Sequence, residues 1–389
     1  MPRSKPISRK IMNKFRPNWL QSWQVAPGDG SSYGFLDGIR GIAILLVVAC
    51  HTFYVNPQAG GLLKTLGTII SAGTLGVTVF FTLSGFLIAL PFWRKKCLGE
   101  SPSIRRYLLR RFWKIYPPLA LSVLLLTPVY ILIKGDAAAY VTVAAQWLTG
   151  VAWVVPVSSI LNPVMWSLVV EVHFYVLLPL CFLATKRLGY QATVWVLGGF
   201  FLLAPPMLAN LYGRFGIGWS LHPEIRVCFP IKLDAFVFGV VMAGLHAAGS
   251  LKKSWARFGH LGMVLLPVVL CHGVLADMFP RHAGWISPVL SHYGAMLATG
   301  CMLCFIAHPA AANMWGLNAS WLRFLGLVSY EWYLLHQPIF LWIWRTVGMA
   351  YGSLAKYAFI ILAPSLLSLL MAALIYRFFS LPILRAKRD

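Results

Sequence analysis

The sequence predicts an all-α polytopic membrane protein with about ten transmembrane helices, and two features of its composition support this. Only 11% of the 389 residues are charged, against about 25% in a typical soluble domain, which leaves too few charges to cover a water-facing surface. Apolar and aromatic residues make up 59% and form stretches near the roughly 20 residues that a helix needs to cross a bilayer. The composition therefore excludes a soluble enzyme, a disordered chain and a fibrous repeat.

Ten apolar stretches are long enough to be spans. They lie at 36–55, 68–92, 115–134, 164–185, 190–212, 226–249, 259–279, 285–308, 321–345 and 354–379. The chain has 33 Lys and Arg against 10 Asp and Glu, and cytoplasmic loops carry an excess of Lys and Arg. Ten spans with both termini in the cytoplasm place most of this positive charge on the cytoplasmic side. An eleventh stretch, 137–155, would spoil that asymmetry if it crossed, so we predict a re-entrant or interfacial segment there.

The chain is predicted to be a single membrane domain with two short tails. Residues 1–35 form a basic cytoplasmic tail, 36–380 the transmembrane domain and 381–389 a second basic cytoplasmic tail. We predict no removable signal peptide, because no short apolar core with a small-residue cleavage site follows the basic start. The location that fits is the cytoplasmic (inner) membrane, with the lipid bilayer as a partner. A nucleic-acid partner is not predicted, because the formal charge of +23 is divided among short loops. The 7 scattered cysteines predict neither disulfides nor a metal site.

The first span contains two polar residues that are costly in lipid. Arg40 and His51 are eleven residues apart, so a helix places them on one face, about 16 Å from each other. Asp37 shares that side and is a candidate partner of Arg40. Arg40 is either a side chain that reaches out of the membrane edge or a functional cation. His51 lies deeper in the apolar helix, and we favour a functional role over a purely structural one.

A basic loop precedes the third span. Arg110, Arg111 and Lys114 fall on adjacent faces of the helical turn that enters this span. They either anchor the topology, with contacts to anionic lipid, or converge on a phosphorylated ligand from the cytosol.

Two further spans carry polar residues at helical spacing. Glu171 and Tyr175 lie four residues apart in the fourth span, and a carboxylate there is either paired inside the bundle or acts as an acid or base. Ser329, Tyr333 and His336 form a polar stripe in the ninth span. This stripe either forms hydrogen bonds between helices or lines a site.

At these residues the chain resembles the acyltransferase-3 family, and the motifs that carry the resemblance occur in the family's order across nearly the whole chain. They are L-D-G-x-R-G at 36–41 with Arg40 and His51 as the Arg-x10-His pair, F-F-x-L-S-G-F-L-I at 80–88, the basic motif at 110–117, E-x-x-x-Y at 171–175 and G-x-x-S-Y-x-x-Y-L-x-H-x-P at 326–338. Lys114 stands where the family's basic motif usually has Arg, so it keeps the charge without the two-pronged hydrogen bonding.

The resemblance implies an acyl-CoA donor, most often acetyl-CoA, that binds from the cytosol as a substrate, with no permanently bound cofactor. Arg110, Arg111 and Lys114 are then candidates for the CoA phosphates, and Arg40 for guiding the pantetheine end. His51 is the candidate general base, since imidazole titrates near neutral pH, and Glu171 is a candidate to orient it. Tyr175, Ser329, Tyr333 and His336 are expected to line the pocket.

The acceptor is less defined than the donor. Our main hypothesis is transfer to a sugar hydroxyl in a surface polysaccharide or a lipid-linked glycan, performed directly or completed by a separate periplasmic partner protein. A second hypothesis is acylation of a small natural product such as a macrolide sugar. A third hypothesis, of another class, is a transporter or flippase, although the sequence lacks the paired broken helices that support one.

Overall fold

The computed structural model describes residues 18–25, 33–52, 61–153, 161–214, 233–279, 289–347 and 354–387. These residues are helical or form short connections, and no β-strand occurs among them. The helices are α1 Gly34–Thr52, α2 Gly61–Ser71, α3 Gly76–Cys97, α4 Ile104–Lys134, α5 Ala137–Thr149, α6 Trp166–Ala184, α7 Tyr190–Arg214, α8 Val237–Ala247, α9 Ala256–Leu270, α10 His272–Met278, α11 Gly294–Leu303, α12 Ser320–Leu327, α13 Ser329–Val347, α14 Leu354–Ile375 and α15 Leu381–Ala386. The all-α prediction is confirmed for this part of the chain.

The predicted number of about ten spans is not confirmed. Five helical stretches among the described residues are long and apolar enough to cross a bilayer: Gly34–Thr52, Lys64–Cys97, Ile104–Leu132, Pro163–Ala184 and Ala358–Ala386. A sixth is obtained if α9 and α10, which meet at a bend of 53°, count as one span. Three of the other predicted spans coincide with shorter apolar helices, at Tyr190–Leu203, Leu233–Ala247 and Ser291–Ala307. The apolar helices among the described residues are those of a membrane protein.

Glycines bring α1 into direct backbone contact with the segment around α12. A Cβ atom on Gly38 would overlap the carbonyl oxygen of Leu317, and one on Gly41 would overlap that of Leu322. In the opposite direction, a Cβ on Gly326 would overlap the carbonyl oxygen of Asp37. Only glycine permits so close an approach of two backbones. The contact fixes the position of α1 along its axis relative to the start of α13, which follows α12 directly.

Helices α3 and α8 pack in the same way on the other side of α1. A Cβ on Gly85 would overlap the carbonyl oxygen of Phe236, just before α8, and a Cβ on Gly239 would overlap that of Thr82. Around these contacts lies the main apolar core, with fully buried aromatic rings such as Phe86, Trp93, Phe174, Phe236 and Phe305. The polar residues of the predicted site are therefore set in a tightly packed frame.

Helix α5 turns back along α4, which is the path that a re-entrant segment at 137–155 requires. Asp136 accepts a hydrogen bond from the Ala139 N–H (3.0 Å) and begins the helix, and Gly150 ends it in the left-handed region with φ 85°. The rings of Tyr130 and Tyr140 stack at 5.2 Å near its start. Helix α5 has 13 residues and is too short to cross, since a crossing takes about 20. Residues 154 and 155 of the predicted segment lie outside the described residues.

Candidate active site

A cavity lies within the bundle, between α1, α3, α4, α6 and α13. Its walls are largely apolar, but charged and hydroxyl side chains from all five helices converge on it. Among them are Arg40, Ser84, Arg111, Lys114, Glu171 and Ser329. A cavity that gathers several charges inside an apolar bundle is a candidate binding site, because such charges are costly in lipid unless they are used or paired.

Arg40 reaches this cavity because of the glycine contacts of α1. They hold α1 beside the start of α13, where the Arg40 Nη2 donates a hydrogen bond to Ser329 Oγ at 3.1 Å. Ser329 Oγ in turn donates to the carbonyl oxygen of Gly326 at 2.8 Å. The sequence pointed to Asp37 as the partner of Arg40. The structure shows a hydrogen bond from Arg40 to another helix, α13, which joins the first and last motifs of the chain.

Glu171 accepts two hydrogen bonds through the same carboxylate oxygen. Tyr175, one turn further along α6, donates to Glu171 Oε1 at 2.6 Å, and Ser84 of α3 donates to it at 3.1 Å. Ser84 precedes Gly85, whose close contact with Phe236 fixes α3 at this point. Ser84 was not among the residues predicted from the sequence, although it lies within the F-F-x-L-S-G-F-L-I motif.

The structure separates the three cations that the sequence grouped. Arg111 and Lys114 line the cavity, whereas Arg110 is exposed on the surface of α4. Successive residues of a helix point about 100° apart, so Arg110 and Arg111 cannot share one narrow face. The Arg111 guanidinium lies between two aromatic rings, 6.0 Å from the Tyr107 centroid and 5.8 Å from that of Tyr175. The expectation that Arg110, Arg111 and Lys114 together contact the CoA phosphates stays a prediction.

His51 is paired with His336 in a contact that the sequence did not predict. His51 Nδ1 lies 3.0 Å from His336 Nε2, although the residues belong to α1 and α13. His336 is fully buried, and its Nδ1 is 2.8 Å from the Tyr333 carbonyl oxygen and 3.1 Å from that of Trp332. In the structure, the hydrogen-bond partner of His51 is thus His336, whereas the expected partner, Glu171, binds Ser84 and Tyr175.

Tyr333 connects the histidine pair to the cavity. Its ring lines the cavity and lies 5.7 Å from the ring of His336. The Tyr333 hydroxyl is 2.7 Å from Ser167 Oγ and donates to the carbonyl oxygen of Val164 at 2.9 Å. The polar stripe of α13 is therefore divided. Ser329 and Tyr333 line the cavity, whereas His336 lies behind Tyr333 and is not part of the cavity wall.

Comparison with known proteins agrees with this arrangement of motifs. A family model described as an acyltransferase domain, that of the acyltransferase-3 family, matches residues 33–377. The acyltransferase MdmB of Streptomyces mycarofaciens is 27% identical over 340 residues, which cover 82% of this chain and 81% of MdmB. The O-acetyltransferase OatA of Staphylococcus aureus strain NCTC 8325 is 24% identical over 381 residues, 90% of this chain.

The chain spans only 56% of the length of OatA, and no solved structure is significantly similar to it. The family match covers all five helices of the cavity and includes Arg40, His51, Glu171 and His336. This membrane protein is an acyltransferase and belongs to the acyltransferase-3 family.

Proposed function

We propose that the protein moves an acyl group, most simply acetyl, from acyl-CoA to a hydroxyl of a sugar in a surface polysaccharide or a lipid-linked glycan. One observation carries this proposal: a single cavity gathers several cations, and Tyr333 in its wall lies against His336, the partner of His51. Acyl-CoA carries several phosphates, which cations can bind. The acceptor hydroxyl must lose a proton, which an imidazole can take. The similarity to OatA, an O-acetyltransferase, supports acetyl transfer to oxygen.

The cations of the cavity are suited to an anionic donor. Lys114 and Arg40 enter from two different helices, and Arg40 is oriented by its hydrogen bond to Ser329. Charged side chains form stronger hydrogen bonds to phosphate oxygens than neutral side chains do. We assign these two residues to the phosphates and pantetheine end of acyl-CoA, which reaches them from the cytoplasm. Glu171 offsets part of the positive charge, so that the donor is bound without being trapped.

The histidine pair defines which nitrogen acts as the base. His336 Nδ1 faces two carbonyl oxygens and therefore carries its hydrogen, which leaves Nε2 of a neutral His336 as an acceptor. His51 then donates through Nδ1–H to His336 and keeps the lone pair on its Nε2. His51 Nε2 is the nitrogen that we assign as general base.

In direct transfer, His51 Nε2 takes the proton of the acceptor hydroxyl while that oxygen attacks the thioester carbonyl carbon. The C–S bond breaks, an ester forms, and the CoA thiolate receives the proton from the imidazolium. The hydrogen bond from His51 to His336 persists through the step and stabilises the charged ring. A covalent acyl-His51 intermediate would use the same nitrogen as nucleophile, and trapping labelled acyl groups on the protein after rapid quenching separates the two routes.

The orientation proposed for the protein places the donor and an extracellular sugar on opposite sides. Both tails and the loop before α4 face the cytoplasm, in the cytoplasmic membrane, and His51 is at the far end of α1. A sugar outside the cell then reaches His51 without crossing the donor site. A separate periplasmic protein that carries the acyl group onward is compatible with this arrangement.

Membrane vesicles and radiolabelled acetyl-CoA test the proposal. We expect label in extracted polysaccharide or lipid-linked glycan only when the chain is present, and we expect its mass to rise by one acetyl group. Label in a small molecule on the cytoplasmic side would favour natural-product acylation instead. Solute uptake without acyl transfer would contradict the proposal and support the transporter hypothesis.

A further inference from the structure

A second cavity lies beside the central one, between α4, α6 and the end of α5. It is an open groove and is largely apolar. The residues that form its walls include Leu108, Phe112, Tyr116, Leu148, Val172 and Val176. We call this space the lateral groove.

The lateral groove opens sideways, toward the lipid-facing surface of the bundle. Leu108, Phe112 and Val176 on its rim are 37%, 45% and 50% exposed, as expected for side chains that contact acyl chains. At the other end, the last turn of α5 closes it: the Tyr116 hydroxyl donates to the Leu148 carbonyl oxygen at 2.5 Å. Helix α5 therefore forms an end wall, and the groove has the shape of a slot for a hydrocarbon chain.

Arg111 stands where the lateral groove meets the central cavity. Arg111, Ile115 and Tyr175 line both spaces. The Arg111 Nε is buried and has no hydrogen-bond partner among the described residues. A buried guanidinium N–H without an acceptor is costly, and it indicates that an anionic ligand completes this position.

The arrangement selects one kind of ligand. A ligand that fills both spaces at Arg111 has its anion bonded directly to a hydrocarbon tail on one side, in the lateral groove, and to a polar group on the other, in the central cavity. Acyl-CoA does not have this order, because the pantetheine arm separates its phosphates from the acyl chain. A lipid phosphate that carries a sugar does.

We propose that the lateral groove binds the tail of a lipid-linked acceptor, with its phosphate at Arg111 and its sugar in the central cavity. This inference rests on the proposed function and names its acceptor class: a sugar on a long-chain, polyprenyl-type phosphate that enters from the bilayer. The cations of the central cavity are then divided between the two substrates, with Lys114 and Arg40 for the donor and Arg111 for the acceptor.

Photo-crosslinking tests this without acyl transfer. The full chain is reconstituted in nanodiscs of phosphatidylcholine with polyprenyl-phosphate N-acetylglucosamine that carries a diazirine near the phosphate end of its prenyl chain. We expect mass spectrometry to locate the label on α4 and α6 within the groove. Val176→Trp fills the slot and lowers labelling about tenfold, equivalent to about 1.4 kcal/mol. Leu180→Trp, one turn further along α6 at a residue that is 53% exposed, leaves it unchanged.

Competition identifies the source of the phosphate. Unlabelled probe should displace the label, whereas added phosphatidylglycerol and inorganic phosphate should not. The proposal is overturned if labelling spreads evenly over the lipid-facing surface, if Val176→Trp has no effect, or if phosphatidylglycerol competes as well as the probe. Because no acyl-CoA is present, these outcomes are independent of whether the protein acylates sugars, and loss of acyl transfer with intact labelling would contradict the proposed function instead.

Discussion

At the scale of single residues, the His51–His336 contact separates an orienting residue from a reacting one. His336 is completely buried and is held by two backbone carbonyls, so it is a rigid acceptor for His51. We infer that it acts as a positioning residue: it fixes the tautomer of His51 and does not itself touch the substrate.

Replacing His336 should affect turnover more than binding. We expect His336→Ala to lower kcat by about 100-fold, the lower end of general acid–base contributions, with the KM for acetyl-CoA unchanged. His336→Gln keeps an acceptor oxygen for the His51 N–H and should recover much of the loss. Steady-state kinetics of folded variants, checked by gel filtration and thermal melting, measure both effects. Equal activity of Ala and Gln variants would argue against a hydrogen-bond role.

Lys114 should act on the donor alone. We expect Lys114→Met to raise the KM for acetyl-CoA by about 10-fold or more, because a hydrogen bond to a charged group contributes about 1.5–3 kcal/mol. Lys114→Arg keeps the charge and should change it far less. Lys95→Met is the control, since Lys95 is an exposed lysine paired with Glu100. An unchanged KM in Lys114→Met would remove Lys114 from the donor site.

The sequence predicted individual site residues better than their partners. Arg40, Arg111, Lys114, Glu171 and Ser329 do line one cavity, because helical spacing and the cost of charge in lipid are local properties. The His51–His336 and Glu171–Ser84 contacts join residues far apart in the chain. They depend on how helices pack, which no spacing within one helix can reveal.

At the scale of secondary-structure elements, the glycine contacts explain why the motifs contain glycine. Gly38, Gly41 and Gly326 place α1 against α12, and Arg40 meets Ser329 as a result. The glycines are part of the site although none of them touches a substrate.

A methyl group at one of these contacts should be costly. We expect Gly326→Ala to destabilise the fold by about 1–3 kcal/mol, the usual cost of overpacking, because the new Cβ would overlap the Asp37 carbonyl oxygen. Gly199→Ala is the control: Gly199 is also helical, but a Cβ there would meet no atom of a neighbouring element within 4 Å, and alanine favours helix. Thermal melting in detergent compares them, and equal melting temperatures would contradict the role of the close backbone contact.

The number of spans illustrates what apolar stretches alone leave out. The sequence predicts ten long helices, yet α12 and α13 are separate helices that meet at Val328, and α9 and α10 bend by 53°. Hydropathy averages over such breaks. That 137–155 is re-entrant stays a prediction, which rests on the distribution of Lys and Arg.

At the scale of the whole molecule, sidedness determines which substrate reaches which end of the cavity. The loops at 98–103 and 248–252 should face the cytoplasm, and α2 should face the opposite side. Cysteines placed at Ser101 and Ser250, in a Cys97→Ser background, should react with an impermeant maleimide only in inside-out vesicles. A cysteine at Thr65 should react only in right-side-out vesicles. Ser101 and Ser250 reacting from opposite sides would overturn the proposed topology.

The proposed function depends most directly on His51 acting as the base in acyl transfer to a sugar hydroxyl. The decisive measurement is transfer of label from radiolabelled acetyl-CoA to a lipid-linked sugar by purified protein in proteoliposomes, comparing the wild type with His51→Ala. We predict that the variant remains folded, binds acetyl-CoA as the wild type does, and loses acyl transfer by at least about 100-fold. Wild-type rates in folded His51→Ala would contradict this role of His51.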